Sequence, residues 1–108
     1  MKTVLIINKD QMGHGDRDLG RKVLGTFLRK AISMDELTAI ALFNSGVKLA
    51  SQDSPVLTEL TLLHENGVDI LPCGTCVEHF GIEAATGSVS DMDTILREID
   101  RAEKVVTI

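Results

Sequence analysis

The chain has 108 residues, is 44% hydrophobic and 25% charged, and carries a formal net charge of −5. That balance fits one soluble globular domain over residues 1–108 and argues against a general nucleic-acid binder. With no Trp or Tyr and three Phe, there is no aromatic platform for bases, and no apolar run approaches membrane-spanning length.

Residues 3–8 are apolar and β-branched, which predicts a first strand placed centrally in a sheet. No small-residue cleavage site follows them, so they do not read as a signal peptide, and the cytoplasm is the default location. Residues 9–16 form a loop containing Gly13, His14 and Gly15. Asp16 or Asp18 then caps a helix over residues 18–32, where Leu19, Val23, Phe27 and Ala31 recur every four positions with Leu24 and Leu28 beside them. The basic set Arg17, Arg21, Lys22, Arg29 and Lys30 reads as a solvated helix face rather than a docking patch.

Residues 36–43 predict a second strand, ended by the turn signal Asn44-Ser45-Gly46. Residues 47–50 fit neither period. Ser54 as N-cap and Pro55 at the first helical position predict a helix whose buried stripe is Val56, Leu57, Leu60 and Leu63, closed by Gly67. The helix faces carrying Leu60, Leu62 and Leu63 hold more apolar residues than one core-facing stripe needs. Residues 68–71 are a third strand, ended by Pro72. Residues 82–87 connect, 87–89 suggest a very short strand, and Ser90 or Asp91 caps a last helix carrying Ile95, Leu96, Ile99 and Ala102. Residues 104–108 close the chain as a strand.

Strands alternating with helices predict an α/β fold, a mostly parallel sheet with helices on both faces. Ligands bind such sheets beyond the carboxyl ends of the strands. That rim receives the 8–16 loop, the Asn44 turn, the segment after Pro72 and the 88–91 loop.

Both cysteines of the chain, Cys73 and Cys76, lie on that rim. Gly74 frees the turn, and Thr75 is placed to cap a helix running to Gly81. A helix N-terminus favours a thiolate, the reactive form of the side chain. Cys73, before the helix, is the expected nucleophile; Cys76 either resolves its product or tunes it. His79 lies on the same helix face as Cys76, either supporting a thiolate or simply exposed. His14, Asn44 and Ser45 are rim residues available to a substrate, with loop polarity and turn-making as the plainer readings. Inert packing cysteines in an oligomeric binding subunit, and a thiol–disulfide exchanger on the same pair, stay open. Zinc is disfavoured, because only one Cys-x-x-Cys pair exists and no metal or other cofactor is otherwise implied.

Four segments run in a familiar order: Met12-Gly13-His14-Gly15-Asp16 with Asp18-Leu19-Gly20, Phe43-Asn44-Ser45-Gly46-Val47-Lys48-Leu49, Cys73-Gly74-Thr75-Cys76, and Gly87-Ser88-Val89-Ser90-Asp91-Met92. On these the chain resembles the DsrE/DsrF/TusD-like sulfur-relay family, and most the DsrE-like C-terminal domain of the YedF-type, sulfurtransferase-like proteins of selenium metabolism. The resemblance implies a flavodoxin-like three-layer fold, assembly into homo-oligomers, and a cysteine at the end of a central strand that accepts sulfane sulfur as a persulfide. Cys73 matches that position, with Cys76, Gly74 and Thr75 completing the motif. YedF-type proteins usually carry a TusA-like domain with its own cysteine, which these residues do not contain, so a TusA-like sulfur carrier is the implied partner.

Overall fold

The computed structural model describes residues 2–34 and 36–108. Strands β1 (Thr3–Ile7), β2 (Leu37–Leu42), β3 (Asp69–Pro72) and β4 (Lys104–Thr107) form one sheet in the order β3-β2-β1-β4, with every pairing parallel. Parallel neighbours need crossovers, and helices α1 (Arg17–Ala31), α2 (Leu57–Glu65), α3 (Gly74–Phe80) and α4 (Met92–Arg101) supply them. The result is the flavodoxin-like α/β arrangement. Register puts Leu5, Ile40 and Ile70 in one row and Ile7 beside Leu42 in the next, so alternate residues of three strands bury one continuous face.

Helix α1 buries Gly20, Leu24, Gly25, Leu28 and Ala31. The four-residue repeat expected as its core stripe is therefore rotated: Leu24 and Leu28 lead the buried face, while Leu19 is 59% exposed and Val23 is exposed beside it. Its N-cap is Asp16, whose carboxylate accepts the Leu19 N–H at 2.8 Å. Its basic residues divide rather than cluster, since Arg17 pairs with Asp10 and Arg29 with Glu59 of α2.

Helix α2 starts later than Ser54 and Pro55 predict. The Ser54 hydroxyl accepts the Val56 N–H at 3.1 Å, making a local turn, and the helix begins at Leu57. The Asn44-Ser45-Gly46 signal is not a free turn either. It opens a 3-10 helix over Asn44–Ala50 that also absorbs the residues of ambiguous period. Val47, Leu49 and Ala50 of this helix are all buried, so tertiary packing holds the tight coil.

Strand β3, which leads directly into Cys73, stands at the edge of the four-stranded sheet, not at its centre. Residues 88–90 cover that edge. Ser88 N–H reaches the Ile70 carbonyl at 3.1 Å, Ser90 N–H the Pro72 carbonyl at 2.8 Å, and Gly74 N–H the Ser90 carbonyl at 2.8 Å. The short strand expected at 87–89 is thus an extended segment whose one ladder pair is Cys73 with Ser90. Asp91, rather than Ser90, caps α4 by accepting the Thr94 N–H at 2.7 Å.

Candidate functional site

Pro72 is the last residue of β3, and it has no backbone N–H to continue a ladder. Cys73 keeps an extended backbone and is itself the N-cap of α3, so Thr75 lies inside the helix instead of capping it. The helix ends where Gly81 turns left-handed at φ 62°, a conformation cheap only for residues such as glycine.

The sulfur of Cys73 makes no cap hydrogen bond to the first turn of α3. One of the free N–H groups expected to face it, that of Gly74, is bound to Ser90 instead. Cys73 is only 4% exposed and packs in the hydrophobic core, while Cys76 is half-buried and reaches the surface. Both are free thiols.

Cys76 receives what Cys73 lacks. The Asn44 N–H donates to its Sγ at 3.1 Å, from the opening residue of the 3-10 helix. Asn44 sits at φ 50°, a left-handed conformation asparagine tolerates better than most side chains. Burial pushes the Cys76 thiol above its ordinary value of 9.0; the Asn44 N–H pulls it partly back, and the neighbouring Cys73 thiol adds to the rise.

Asn44, Thr75, Cys76, His79 and Phe80 line an open pocket of about 300 Å³. His79 stands edge-on to Phe80, with ring centroids 5.0 Å apart, and Lys48 Nζ lies over the Phe80 ring, 4.5 Å from its centroid. Of the residues singled out from the sequence, Cys76, His79, Asn44 and Thr75 therefore share one pocket wall. His14 is exposed and does not line it; Ser45 and Gly74 do not line it either. Phe80 and Lys48 do not stand out as site residues in the sequence, because their meeting depends on how α3 packs against the 3-10 helix. Among the described residues, no group of three or more His, Cys, Asp or Glu side chains is placed to hold a metal ion.

The geometry offers one thiol at the surface of a small pocket, a backbone donor on its sulfur, and a second thiol one helical turn away behind it. That is sufficient for nucleophilic attack by sulfur on sulfur, followed by exchange between the two.

The sequence model of the DsrE/DsrF-like family matches residues 1–108. Among curated proteins, none matches this chain. Among solved structures, the ychN protein from E. coli is 18% identical, with a TM-score of 0.71 and 100% of both chains covered. A conserved protein of unknown function, BT1422 from Bacteroides thetaiotaomicron, is 23% identical at a TM-score of 0.67, covering 99% of this chain and 95% of its own. The protein of unknown function MTH1491 from Methanobacterium thermoautotrophicum is 17% identical at 0.69, covering 99% and 98%. At these identities the three share the fold with this chain.

Proposed function

The chain belongs to the DsrE/DsrF-like family, and on that premise we propose that it serves in sulfur relay, holding sulfane sulfur as a persulfide on its Cys73/Cys76 pair. The observation that carries this reading is the placement of Cys76: half-buried, opening on the pocket, with the Asn44 N–H at 3.1 Å on its sulfur.

The resemblance pointed to Cys73 as the first acceptor. Burial favours the reverse order. The Cys76 thiolate attacks the outer sulfur of a donor persulfide, the bond to the donor breaks, and the donor leaves as a thiolate. The sulfur on Cys76 then has two exits. An acceptor thiolate, such as one on a TusA-like carrier, attacks the outer sulfur and leaves Cys76 as thiolate. Alternatively, Cys73 attacks the inner sulfur, forming a Cys73–Cys76 disulfide and expelling hydrosulfide. His79, on the pocket wall, is placed to exchange protons with solvent, and Thr75 and Asn44 shape the entrance. The reaction needs no cofactor. Selenium on the same thiol is the variant suggested by the YedF-type resemblance.

Assembly into a homo-oligomer is supported by exposed apolar side chains on two helices: Leu19 and Val23 on α1, Met92 and Leu96 on α4. No helix among the described residues is long and apolar enough to cross a membrane.

The test is intact-protein mass spectrometry after incubation with a sulfane sulfur donor, on both single Cys→Ser variants. Cys73→Ser should gain one sulfur atom and retain it; Cys76→Ser should not load. Loading on Cys76→Ser alone restores Cys73 as the acceptor. A disulfide that forms in the wild type with no sulfur gain in any variant favours thiol–disulfide exchange. No reaction of any kind would sink both chemistries and leave the binding-subunit reading.

A further inference from the structure

A second cavity, of about 320 Å³, opens between the start of α1 and the end of the 3-10 helix, lined by Asp10, Arg17, Arg21, Lys48, Ser51 and Asp53 among others. Nothing in the sulfur chemistry uses it. Its charges do not cancel locally. Asp10 is already engaged by Arg17, and Asp53 is exposed on the rim. Lys48 rests on the face of Phe80, and among the described residues it has no ion-pair partner. Arg21 is the anomaly. Its Nε is buried and meets no hydrogen-bond partner among the described residues.

Buried donors in native proteins are almost always matched, so an unmatched guanidinium nitrogen beside a polar cavity calls for an explanation. Arginine is suited to one class of ligand above others: its planar fork matches two oxygens of a carboxylate or phosphate at once. Arg21 lines the cavity, and Lys48 on the same wall supplies a second positive charge. The Ser51 hydroxyl already donates to the Lys48 carbonyl at 2.7 Å, which fixes the loop rather than serving a ligand.

We propose that this cavity is an oxyanion-binding site, in which Arg21 and Lys48 hold a small phosphate- or carboxylate-type group, free or at the end of a larger molecule. The site stands independently of the sulfur reading, and each can fail without the other. It adjoins the thiol pocket through Phe80, which lines that pocket and lies under Lys48.

Isothermal titration calorimetry of the full chain at low ionic strength tests it, with inorganic phosphate, a phosphomonoester (phosphoserine) and acetate as probes. At least one probe should bind saturably at one site per chain. Arg21→Gln should weaken it by about tenfold or more, as loss of a charge-assisted pair does, while Arg97→Gln on the exposed face of α4 should leave it unchanged. Should Arg21→Gln fail to fold by circular dichroism, Lys48→Gln carries the same test, with binding several-fold weaker. Phosphate bound more tightly than phosphoserine identifies a free ion; the reverse identifies the terminal phosphate of a larger molecule; acetate as the best probe identifies a carboxylate. Absence of saturable binding by all three, or equal weakening by Arg97→Gln, overturns the site.

Discussion

Gly46 is the point at which the thiol pocket is fastened to the sheet, and Gly46→Ala should break that fastening. A Cβ built on Gly46 would lie 2.4 Å from the Ile7 carbonyl oxygen and 3.3 Å from the Lys9 nitrogen. Carbon and oxygen come no closer than about 3.3 Å even in favourable contacts, so the methyl group needs roughly 0.9 Å that the structure does not offer. Both obstructing atoms are backbone, at the end of β1, and cannot step aside as a flexible side chain would. Either the 3-10 helix lifts or the strand end bends. Overpacking of this kind costs about 1–3 kcal/mol, and a rigid neighbour puts Gly46→Ala near the upper end. For a domain of this size that is a fall of roughly 10–20 °C in the midpoint of thermal unfolding. Gly13→Ala is the control, with φ at 81° but open space around its Cβ, and should cost only about 1 kcal/mol. Because Gly46 holds the helix that begins at Asn44, the same variant should loosen the Asn44 N–H from Cys76. That removes a contact lowering the Cys76 pKa, so its titration midpoint should move further up. Thermal and urea denaturation followed by circular dichroism give the first readout, and alkylation rate against pH the second. A loss below about 1 kcal/mol with an unchanged Cys76 midpoint would mean that Gly46 does not fasten the 3-10 helix to the strand.

Alkylation of Cys76 in the Cys73→Ser background should keep accelerating as pH passes 9.0, since burial holds the folded thiol protonated above that value; a midpoint well below 9.0 would contradict it. By linkage, the folded chain retains this proton longer than the unfolded one, so the associated stability is complete below pH 9.0 and fades as pH rises through the folded value. Leu24→Ala, at a fully buried position of α1, should cost about 2–5 kcal/mol in urea unfolding, whereas Leu19→Ala on the exposed face should change stability by less than about 0.5 kcal/mol when the chain is monomeric. Asn44→Gly should be tolerated within about 1 kcal/mol and Asn44→Val should cost about 1–2 kcal/mol by thermal unfolding, because φ at 50° suits glycine and strains a β-branched residue.

The alternation of elements, the parallel sheet and the neighbourhood of the thiols were all legible from the residues in order. Hydrophobic period, capping aspartates and the Pro72-Cys73 break are local signals, and local forces decide them. Asp16 caps because its carboxylate reaches Leu19 two positions into the helix, a reach fixed by the chain itself. The rim placement of Asn44, Cys73 and Ser90 also followed, since parallel crossovers bring all strand ends to one side. Packing between distant elements sets which sulfur meets solvent and which donor meets which sulfur. Cys73 and Cys76 share one motif, but β3 is an edge strand covered by residues 88–90, so Cys73 is enclosed and its neighbouring N–H at Gly74 is taken by Ser90. The Asn44–Cys76 bond joins residues 32 positions apart, and the Arg21 cavity joins α1 to the end of the 3-10 helix. Charge sign and helical period placed Arg21 on a solvated face. The burial of its Nε arises from how two elements meet, an interaction of long sequence separation that no local pattern encodes.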